Sequence, residues 1–532
     1  MKKIIYSLTA LLLFGTVACF EDKGNYDYDA INRFTVNLDP AVDEVGNIYW
    51  VLQPIDDTLK QGFIARVDQT LASDTTNLRY LWYISKDSKR IDTVYTNAYT
   101  FNFPPGKSTT YNAWLEITDI STDIKYYNSF NVKTRPPFNY SWIVLHGEAG
   151  NRRIGSVDFA PDSNYYFSNG ITFDANESLF HSRRFQNTEF IAFAPSQDIG
   201  GDRLLIFGAD SCFSVYPYEM SVKKKQGQMF QGSMEWEKLT SATQPQRPHF
   251  LLIGKDRKLY FGDHWANVYG PIPTDNTVAG DYEISDAYPT YGGTWYDLMW
   301  DQKNYKFYYH SVVSIPNMWY DEKKADDYLA CLVMALPEDI VKPDDVKDCK
   351  LLWLGCGMKV LDNREVSALA VMQPAGSSTY RFVHFGVGEG KGGSSAPFYA
   401  EMESNKILSV AEDSKFATST SYPNQLFYTG GGQVFRYVNA SNASDAISFP
   451  LYDVGVDKTI VAMKFRCPQE SVNWPAYKMA QSLAIAVNTA DGKGEIHELF
   501  LTTSGDVERT AVYTGFGPIK DIEYVARIQA TL

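Results

Sequence analysis

The sequence predicts an all-β protein in which an N-terminal immunoglobulin-like β-sandwich is followed by a β-propeller of about seven blades. The first observation is a recurring pattern of two short apolar runs joined by a turn rich in Gly, Asp or Asn. Neighbouring hairpins of this kind often start about 45 to 60 residues apart, which is the spacing of propeller blades. The second observation is that Phe, Trp and Tyr make up 15% of the chain, which favours half-buried pleated sheets.

The hairpin pattern is clearest between Asn424 and Val438. Strands are predicted at Gln425–Tyr428 and Gln433–Tyr437, and the glycines at Gly430–Gly432 supply the positive φ that a tight turn needs. Six further hairpins are predicted at residues 141–159, 202–216, 249–262, 296–310, 380–402 and 482–501. Residues 320–372 lack this pattern, so they hold either one irregular blade or parts of two.

Residues 30–135 are predicted to form the sandwich. Turns rich in Asp, Asn, Gly and Pro separate six β-prone runs: IYWVLQPI, GFIARVDQTL, LRYLWYIS, YTFNFP, TYNAWLEITD and KYYNSFNVKT. Every second residue from Tyr111 to Ile117 is apolar, which predicts one buried sheet face. We expect Trp82 in the core of this sandwich, with a ligand platform as the alternative. A stiff linker at residues 136–140 then leads to the propeller at residues 141–532.

The N-terminal segment MKKIIYSLTALLLFGTVAC resembles a bacterial lipoprotein signal. Lys2 and Lys3 precede an apolar core that is too short to be an ordinary membrane-spanning helix, and small residues lead to Cys19. The resemblance implies that residues 1–18 are removed and that Cys19 is lipidated, which would hold the chain on a membrane. Thr16 departs from this pattern, because Leu is usual there. The alternative is a plain secretory leader.

An acidic tether is predicted at residues 19–29. Glu21 and Asp22 resemble the signal that exports lipoproteins to the outer face of Bacteroidetes outer membranes. The alternative is a solvated tether without a sorting role. No later stretch is long and apolar enough to span a bilayer as a helix.

Four features together look like the PKD-like lipoproteins of Bacteroidetes. They are Cys19, the segment DKGNYDY from Asp22 to Tyr28, the central YLWYIS of the sandwich, and the following SWIVLHGEAGNRRIGSVDF. The resemblance extends to about residue 160. It implies a cell-envelope lipoprotein, often encoded beside SusC/SusD-like nutrient uptake systems, and it brings no catalytic residues.

Charge and cysteine content restrict the partners and the chemistry. The net charge of −14, without a visible basic stripe, argues against nucleic acid or anionic lipid as the partner. Five cysteines follow Cys19, and this odd number excludes a complete disulfide framework. We expect buried free thiols, with Cys349 and Cys356 as the candidate pair if one disulfide forms.

Four loops of the propeller region carry residues beyond those that a turn needs. Aromatic rings there could pack on the apolar face of a sugar, while nearby Asp and Asn bind its hydroxyl groups. Asp263 and His264 could also form an acid–base or metal pair. In each loop the alternative is ordinary packing within a blade. The candidate ligand-binding residues are Trp265, Trp295, Trp319, Tyr320 and Trp474.

Catalytic, metal and cofactor templates mostly fail. The glycine run at residues 386–393 is followed by a strand-like segment, whereas a phosphate-binding loop needs a helix after it. The seven His residues form no HExxH motif, and no GxSxG elbow or EF-hand loop matches. We therefore predict no cofactor and no metal. A carboxylate pair for glycoside hydrolysis could exist, but sequence does not show which two residues would form it.

These observations predict a lipoprotein of the outer membrane that faces the cell exterior. We expect it to bind a glycan or peptide, or to dock to a SusC/SusD-like complex, without catalysis. One alternative is a propeller-type glycoside hydrolase or lyase. The other is a purely structural partner of a SusC/SusD-like transporter.

Overall fold

The computed structural model describes residues 31–39, 41–42, 48–52, 59–72, 74–103, 109–135, 140–159, 170–173, 187–194, 203–208, 212–217, 221–229, 235–241, 249–263, 269–271, 282–289, 296–311, 333–335, 341, 343–362, 365–378, 380–388, 409–419, 421–422, 425–438, 447–466 and 481–526. The chain divides into two compact units, whose main boundary lies between Lys133 and Thr134. We call the described residues before this boundary the sandwich unit and those after it the propeller unit.

The sandwich unit consists of two β-sheets. Its strands are β1 (Phe34–Asp39), β2 (Ile48–Leu52), β3 (Leu59–Gln69), β4 (Leu78–Lys86), β5 (Lys89–Val94), β6 (Ala98–Phe103), β7 (Thr109–Asp119) and β8 (Lys125–Arg135). One sheet has the order β1-β3-β6 and the other the order β2-β8-β7-β4-β5. All six predicted runs form strands, and the immunoglobulin-like sandwich is confirmed.

The sequence pattern missed β1 and β5. β5 has the sequence KRIDTV and is largely exposed at the edge of its sheet, so it shows no apolar face. It follows β4 through a tight turn at Asp87 and Ser88, both of which adopt positive φ. β1 pairs antiparallel with β3, from Phe34 opposite Gln69 to Asp39 opposite Ile64. β1 does alternate apolar and polar residues, with Phe34, Val36 and Leu38 less exposed than their neighbours, so only β5 is defined by pairing alone.

The sandwich core is aromatic and has Trp82 at its centre. Trp82 is fully buried, and its ring stacks with Tyr99 at 6.0 Å and with Phe63 at 6.5 Å between centroids. The predicted apolar face of β7, from Tyr111 to Ile117, is buried in the same core. The core role of Trp82 is thus confirmed.

The described residues of the propeller unit form seven sheets, which we number as blades in chain order. Their strands, from the innermost outward, are blade 1, β35 (Ile519–Ala526), β9 (Tyr140–His146), β10 (Arg153–Phe159) and β11 (Gly170–Phe173); blade 2, β12 (Thr188–Ala194), β13 (Arg203–Gly208), β14 (Cys212–Tyr216) and β15 (Ser221–Lys225); blade 3, β16 (Trp236–Ser241), β17 (His249–Gly254), β18 (Leu259–Asp263) and β19 (Tyr269–Pro271); blade 4, β20 (Ile284–Pro289), β21 (Tyr296–Asp301), β22 (Lys306–Ser311) and β23 (Val333–Ala335); blade 5, β24 (Cys349–Asp362), β25 (Glu365–Pro374) and β26 (Arg381–Gly388); blade 6, β27 (Phe416–Ala417), β28 (Gln425–Gly430), β29 (Gln433–Val438) and β30 (Ile447–Asp453); and blade 7, β31 (Lys458–Phe465), β32 (Ser482–Thr489), β33 (Gly494–Leu501) and β34 (Val507–Phe516).

The last described strand completes the first blade. β35 pairs antiparallel with β9, from Ile519 opposite His146 to Ala526 opposite Tyr140. Innermost strands contact one another at six of the seven joints between blades, and β35 touches both β31 of blade 7 and β12 of blade 2. At the seventh joint, Trp353 of β24 stacks with Phe416 of β27. The ring is therefore closed by joining the two ends of the propeller unit, and the predicted propeller of about seven blades is confirmed.

Apolar side chains fill the spaces between the blades. Separate buried clusters join blades 1 and 2, 2 and 3, 4 and 5, 5 and 6, 6 and 7, and 7 and 1. Blades 3 and 4 meet where β20 packs against β16 and β17. Each blade thus buries both of its faces, which is why the strands are apolar on both sides.

Six of the seven predicted hairpins pair as expected. In the clearest one, Gln425 lies opposite Val438 and Gly430 opposite Gln433, with φ of 58° at Gly431 and 82° at Gly432. For the hairpin at residues 380–402, β26 is confirmed and the rest lies outside the described residues. Residues 320–372 hold parts of two blades, because β23 belongs to blade 4 and β24 and β25 begin blade 5.

The helices and cysteines are minor features of the described residues. Two helices of one turn occur there, α1 (Gln226–Met229) and α2 (Pro343–Val346). Among these residues no helix has the length and apolarity to cross a bilayer. Cys212 and Cys349 are buried thiols, as expected. Cys349 and Cys356 lie in one strand, β24, and seven positions at about 3.3 Å each put them too far apart for a disulfide.

Candidate functional site

The structure does not describe most of the predicted site residues. Six of them lie outside the described residues: Cys19, Trp265, Trp295, Trp319, Tyr320 and Trp474. Of the predicted pair of Asp263 and His264, Asp263 ends β18 opposite His249, whereas His264 lies outside the described residues. Trp300 is fully buried in β21. The described candidates must therefore come from other parts of the chain.

One candidate is a charged cluster on two innermost strands, formed by Lys464 of β31 with Asp521 and Glu523 of β35. We call it the axis cluster. The Lys464 ammonium lies 3.1 Å from the Asp521 carboxylate and 3.0 Å from that of Glu523. Asp521 and Glu523 are two residues apart, so they share one side of β35, while Ile522 and Tyr524 are buried on the other side. Solvent reaches the cluster, since the Lys464 side chain is 35% exposed.

The axis cluster contains a carboxyl group with an unusual pKa. Burial raises the pKa of Glu523, although the nearby Lys464 ammonium opposes this shift. Burial disfavours the Lys464 ammonium, but Asp521 and Glu523 outweigh it and raise the pKa of Lys464. Lys464 therefore stays charged, and Glu523 takes up a proton more readily than an ordinary glutamate. Such groups occur at functional sites more often than elsewhere.

Other ion pairs also join innermost strands. Lys520 of β35 lies 3.4 Å from Glu189 of β12, and Lys238 of β16 pairs with Asp286 of β20. Each pair connects two different blades. Charges of both signs therefore line the described innermost strands. A propeller axis lined only by apolar residues would argue against catalysis. The described innermost strands do not have such a lining.

A buried cluster of polar groups around Glu498 joins blades 7 and 1. Glu498 of β33 is fully buried and pairs with Arg466, whose side chain is 2% exposed. The same carboxylate accepts hydrogen bonds from the Trp142 indole at 3.0 Å and from the Ser482 hydroxyl. Burial would raise the pKa of Glu498, but the Arg466 charge and these donors hold it below its usual value. The cluster, which we call the closure clamp, stabilises the joint where the ring closes.

A second buried chain of polar groups joins blades 6 and 7. The Tyr452 hydroxyl lies 3.0 Å from Nδ1 of His497, and Nε2 of His497 lies 2.8 Å from Glu495, which also pairs with Lys458. Burial lowers the pKa of His497, so the imidazole is neutral near pH 7. Burial also raises the pKa of Tyr452, and this makes its hydroxyl a poor nucleophile. The order of groups resembles a catalytic triad, but the neutral His497 and the raised pKa of Tyr452 fit a structural contact between two blades rather than catalysis.

The sandwich unit carries an exposed aromatic surface, formed by Tyr83, Trp114 and Tyr127. Tyr83 of β4 lies directly opposite Trp114 of β7, and their rings are 5.9 Å apart with planes inclined by 9°. The Arg90 guanidinium covers Tyr83 at 4.0 Å from the ring centroid. Trp114 and Tyr127 are exposed, and all three rings lie on the face opposite the core. Amphipathic rings on an open sheet face can pack against an extended ligand.

Sequence reasoning missed these groups for definable reasons. Lys464 and Glu523 are distant in sequence and meet only because β35 returns to the ring beside β31. The aromatic surface left a weak signal, because Trp114 sits at an outward position of an otherwise regular alternation in β7. A large ring at a polar position of such a pattern could have been noted.

Metal-ligand arrangements and comparisons with other proteins give little information on the chemistry of this chain. Within the described residues, no group of three or more His, Cys, Asp or Glu side chains is arranged to hold a metal ion. No curated protein matches the chain in sequence. The model of the PKD-like family matches residues 19–175, which agrees with the resemblance seen in the sequence.

Solved propeller structures resemble the chain at low identity. A quinoprotein alcohol dehydrogenase-like protein from Bacteroides thetaiotaomicron matches with a TM-score of 0.43 and 12% identity, over 89% of this chain and 96% of that one. The WD40 domain of SCAP from fission yeast matches with a TM-score of 0.37 and 13% identity, over 77% and 92%. The β-propeller domain of Cps50 (Swd1) from Myceliophthora thermophila matches with a TM-score of 0.36 and 9% identity, over 61% and 88%. The assignment of this chain as a propeller rests on its own sheet order.

Proposed function

We propose that the protein is a lipid-anchored component of the outer membrane that binds a glycan or peptide at the cell exterior without changing it. The observation that carries this proposal is the aromatic surface of Tyr83, Trp114 and Tyr127 on the open face of the five-stranded sheet. Rings of this type supply contact area at low entropic cost, and their polar tips form hydrogen bonds, with the Trp indole as a donor and the Tyr hydroxyl as donor or acceptor. The sequence resemblance suggests that the protein docks to a SusC/SusD-like uptake complex.

The proposed cellular location of the protein rests on its N-terminal sequence. Lys2, Lys3, a short apolar core and Cys19 form the proposed lipoprotein signal, and Glu21 and Asp22 the proposed export signal. Labelling with a palmitate analogue should mark the natural protein and not the Cys19→Ala variant. Protease added to intact cells should then remove the protein from their surface.

A binding screen tests the activity. Protein from Glu21 onward is run through native gels that contain one of a panel of polysaccharides, and is titrated with a peptide panel, while each mixture is analysed for cleavage products. We expect at least one ligand to bind without products. Trp114→Ala and Tyr127→Ala should weaken that binding by about tenfold, whereas Tyr95→Ala, a still more exposed tyrosine of the same unit, should not.

The screen also separates the alternatives. If Trp319→Ala or Trp474→Ala weakens binding and Trp114→Ala does not, the ligand binds the propeller loops and the aromatic surface is not the site. If no ligand of either panel binds, the proposal of ligand binding is wrong, and a structural role beside a SusC/SusD-like transporter becomes the better account.

A propeller-type glycoside hydrolase or lyase is the second candidate, and the axis cluster favours it. The pKa of Glu523 is raised, and Glu523 shares Lys464 with Asp521, so a carboxyl group that can give a proton lies close to a second carboxyl group. If products appear in the screen, Glu523→Gln and Asp521→Asn should abolish them while ligand binding persists. Product formation that survives both changes would exclude the axis cluster.

A further inference from the structure

Four large aliphatic side chains are exposed at one end of the sandwich unit. The exposed fractions are 65% for Ile31, 56% for Leu71, 62% for Ile120 and 39% for Ile124. We call this group the aliphatic end. Ile31 precedes β1, Leu71 follows β3, and Ile120 and Ile124 flank the turn between β7 and β8. The strands that begin or end here belong to both sheets.

Hydrogen bonds hold these segments together. The Leu71 amide donates to Oδ1 of Asn32 at 3.2 Å, and Nδ2 of Asn32 donates to the buried Asp119 carboxylate at 3.0 Å. The Asp119 amide in turn donates to the carbonyl of Ile124 at 2.9 Å, and the Ile120 amide donates to the carbonyl of Asn77 at 2.9 Å.

A polar knot around Asn32 and Asp119 therefore fills the interior of this end and turns the aliphatic side chains outward. Their exposure is a fixed feature of the fold, and exposed aliphatic groups that cluster at one place mark a surface that meets something apolar.

The sequence indicates what that surface meets. Ile31 continues the tether, and only about a dozen residues separate it from Cys19, a length that spans at most about 40 Å. β8 runs from this end to Arg135 at the opposite end of the sandwich. A lipid on Cys19 would thus keep the aliphatic end near the membrane, and the chain would leave the sandwich on the far side.

We propose that the aliphatic end rests on the lipid surface, with Leu71, Ile120 and Ile124 inserted at the boundary between headgroups and acyl chains. This proposal rests on the proposed lipid anchor. The exposed charges beside the aliphatic end are mixed, with Arg33, Asp74 and Asp123 among them, so the contact is apolar rather than electrostatic. It should form on neutral lipid and change little with salt.

Fluorescence of the membrane-held protein tests the proposal. The chain from Glu21 onward, with an N-terminal histidine tag, is held on phosphatidylcholine vesicles that contain a small fraction of nickel-chelating lipid. An environment-sensitive dye is attached at Ile120→Cys, at Leu71→Cys, or at Val456→Cys, an 89% exposed site in the propeller unit that serves as the control. The dye-treated parent protein supplies the background from native cysteines.

The expected result is specific to position. Emission from positions 120 and 71 should shift to the blue on vesicles and be quenched by nitroxides on the acyl chains, whereas emission from position 456 should not. Equal behaviour of the three positions overturns the proposal. A blue shift at position 120 that grows with protein concentration, without vesicles, also overturns it, since a second copy would then cover the surface.

A second measurement avoids the tag. Without nickel lipid, Leu71→Asp with Ile120→Asp should lower the fraction of untagged protein that floats with vesicles by about tenfold, in low or high salt. Ile447→Asp with Val456→Asp, which changes two exposed residues of the propeller unit, should leave flotation unchanged. Equal flotation of the two variants contradicts the proposal. In the fluorescence test the histidine tag takes the place of the lipid, and the flotation test uses neither. A negative palmitate test would therefore refute the proposed anchor, but the fluorescence and flotation results could still be interpreted.

Discussion

At the scale of single residues, the closure clamp shows how the free-energy cost of burying two charged side chains is offset. Taking the charges of Arg466 and Glu498 out of water costs several kcal/mol for each ion, and their attraction repays this only when the remaining groups are satisfied. Glu498 accepts hydrogen bonds from Arg466, from Ser482 and from the Trp142 indole of blade 1. The Arg466 guanidinium also lies 3.9 Å from the centroid of the Phe159 ring. The two blades therefore share one satisfied charge pair.

Removing only one partner should be far worse than removing both. Arg466→Met leaves Glu498 buried without its counter-charge and should cost about 3–5 kcal/mol of unfolding free energy, whereas Arg466→Met with Glu498→Leu should cost much less. Urea unfolding followed by tryptophan fluorescence measures both. Arg66→Met, which breaks the exposed pair with Asp39, is the control and should cost less than about 1 kcal/mol. If the double variant loses as much unfolding free energy as Arg466→Met and Glu498→Leu lose in sum when each is made alone, this account is contradicted.

The polar knot of the sandwich unit predicts a defined dependence on acid. Hydrogen bonds from Ser121 and then Asn32 lower the pKa of Asp119 to about 2, compared with about 3.9 in an unfolded chain. The stability that ionised Asp119 contributes is therefore fully present above about pH 4 and is lost as the pH falls towards about 2. Asp119→Asn should be less stable than the parent at pH 6, and the gap should shrink at pH 2.5. Urea midpoints at both values check this, and a constant gap would refute it.

At the scale of elements, short-range signals were predictable and long-range pairing was not. Hairpins such as β28–β29 could be read from the sequence because the turn residues Gly431 and Gly432 lie between two apolar strands. The β24–β25 hairpin was missed because β24 is long and its register with β25 shifts three times, which hides the alternation. The axis cluster could not be predicted, since nothing near Lys464 indicates that residues 521 and 523 will lie beside it.

Glycines at strand contacts give a test at the element scale. A Cβ on Gly494 of β33 would lie 2.4 Å from the Gly517 carbonyl oxygen, which is backbone and cannot rotate away. Gly494→Ala should therefore cost about 1–3 kcal/mol through local displacement of the turn that leads into β35. Gly62→Ala in β3 is the matched control, because its Cβ would meet only Thr100 at 3.6 Å and should cost nothing. Thermal unfolding of the two variants distinguishes them, and equal melting temperatures would contradict this prediction.

At the scale of the whole molecule, the propeller is a ring whose closure depends on the last described strand. β35 gives β9 a hydrogen-bonding partner, contributes Ile519, Ile522 and Tyr524 to the apolar contact between blades 7 and 1, and places both carboxylates beside Lys464. The sequence predicted blades from their hairpins, but a strand that pairs with the opposite end of the domain belongs to no hairpin. Closure is thus the part of this fold that only long-range structure reveals.

Truncation tests whether the ring is one cooperative structure. A chain that ends at Pro518 lacks β35, so the edge of β9 is unpaired and Lys464 loses both of its partners. Hydrogen exchange should become faster in β9, β31 and β12, which contact β35, while peptides of the sandwich core around Trp82 keep their protection. A chain that ends at Ala526 retains β35 and serves as the control. Slow exchange in β9 of the shorter chain would show that the ring holds without its closing strand, because the remaining contacts between blades would then suffice.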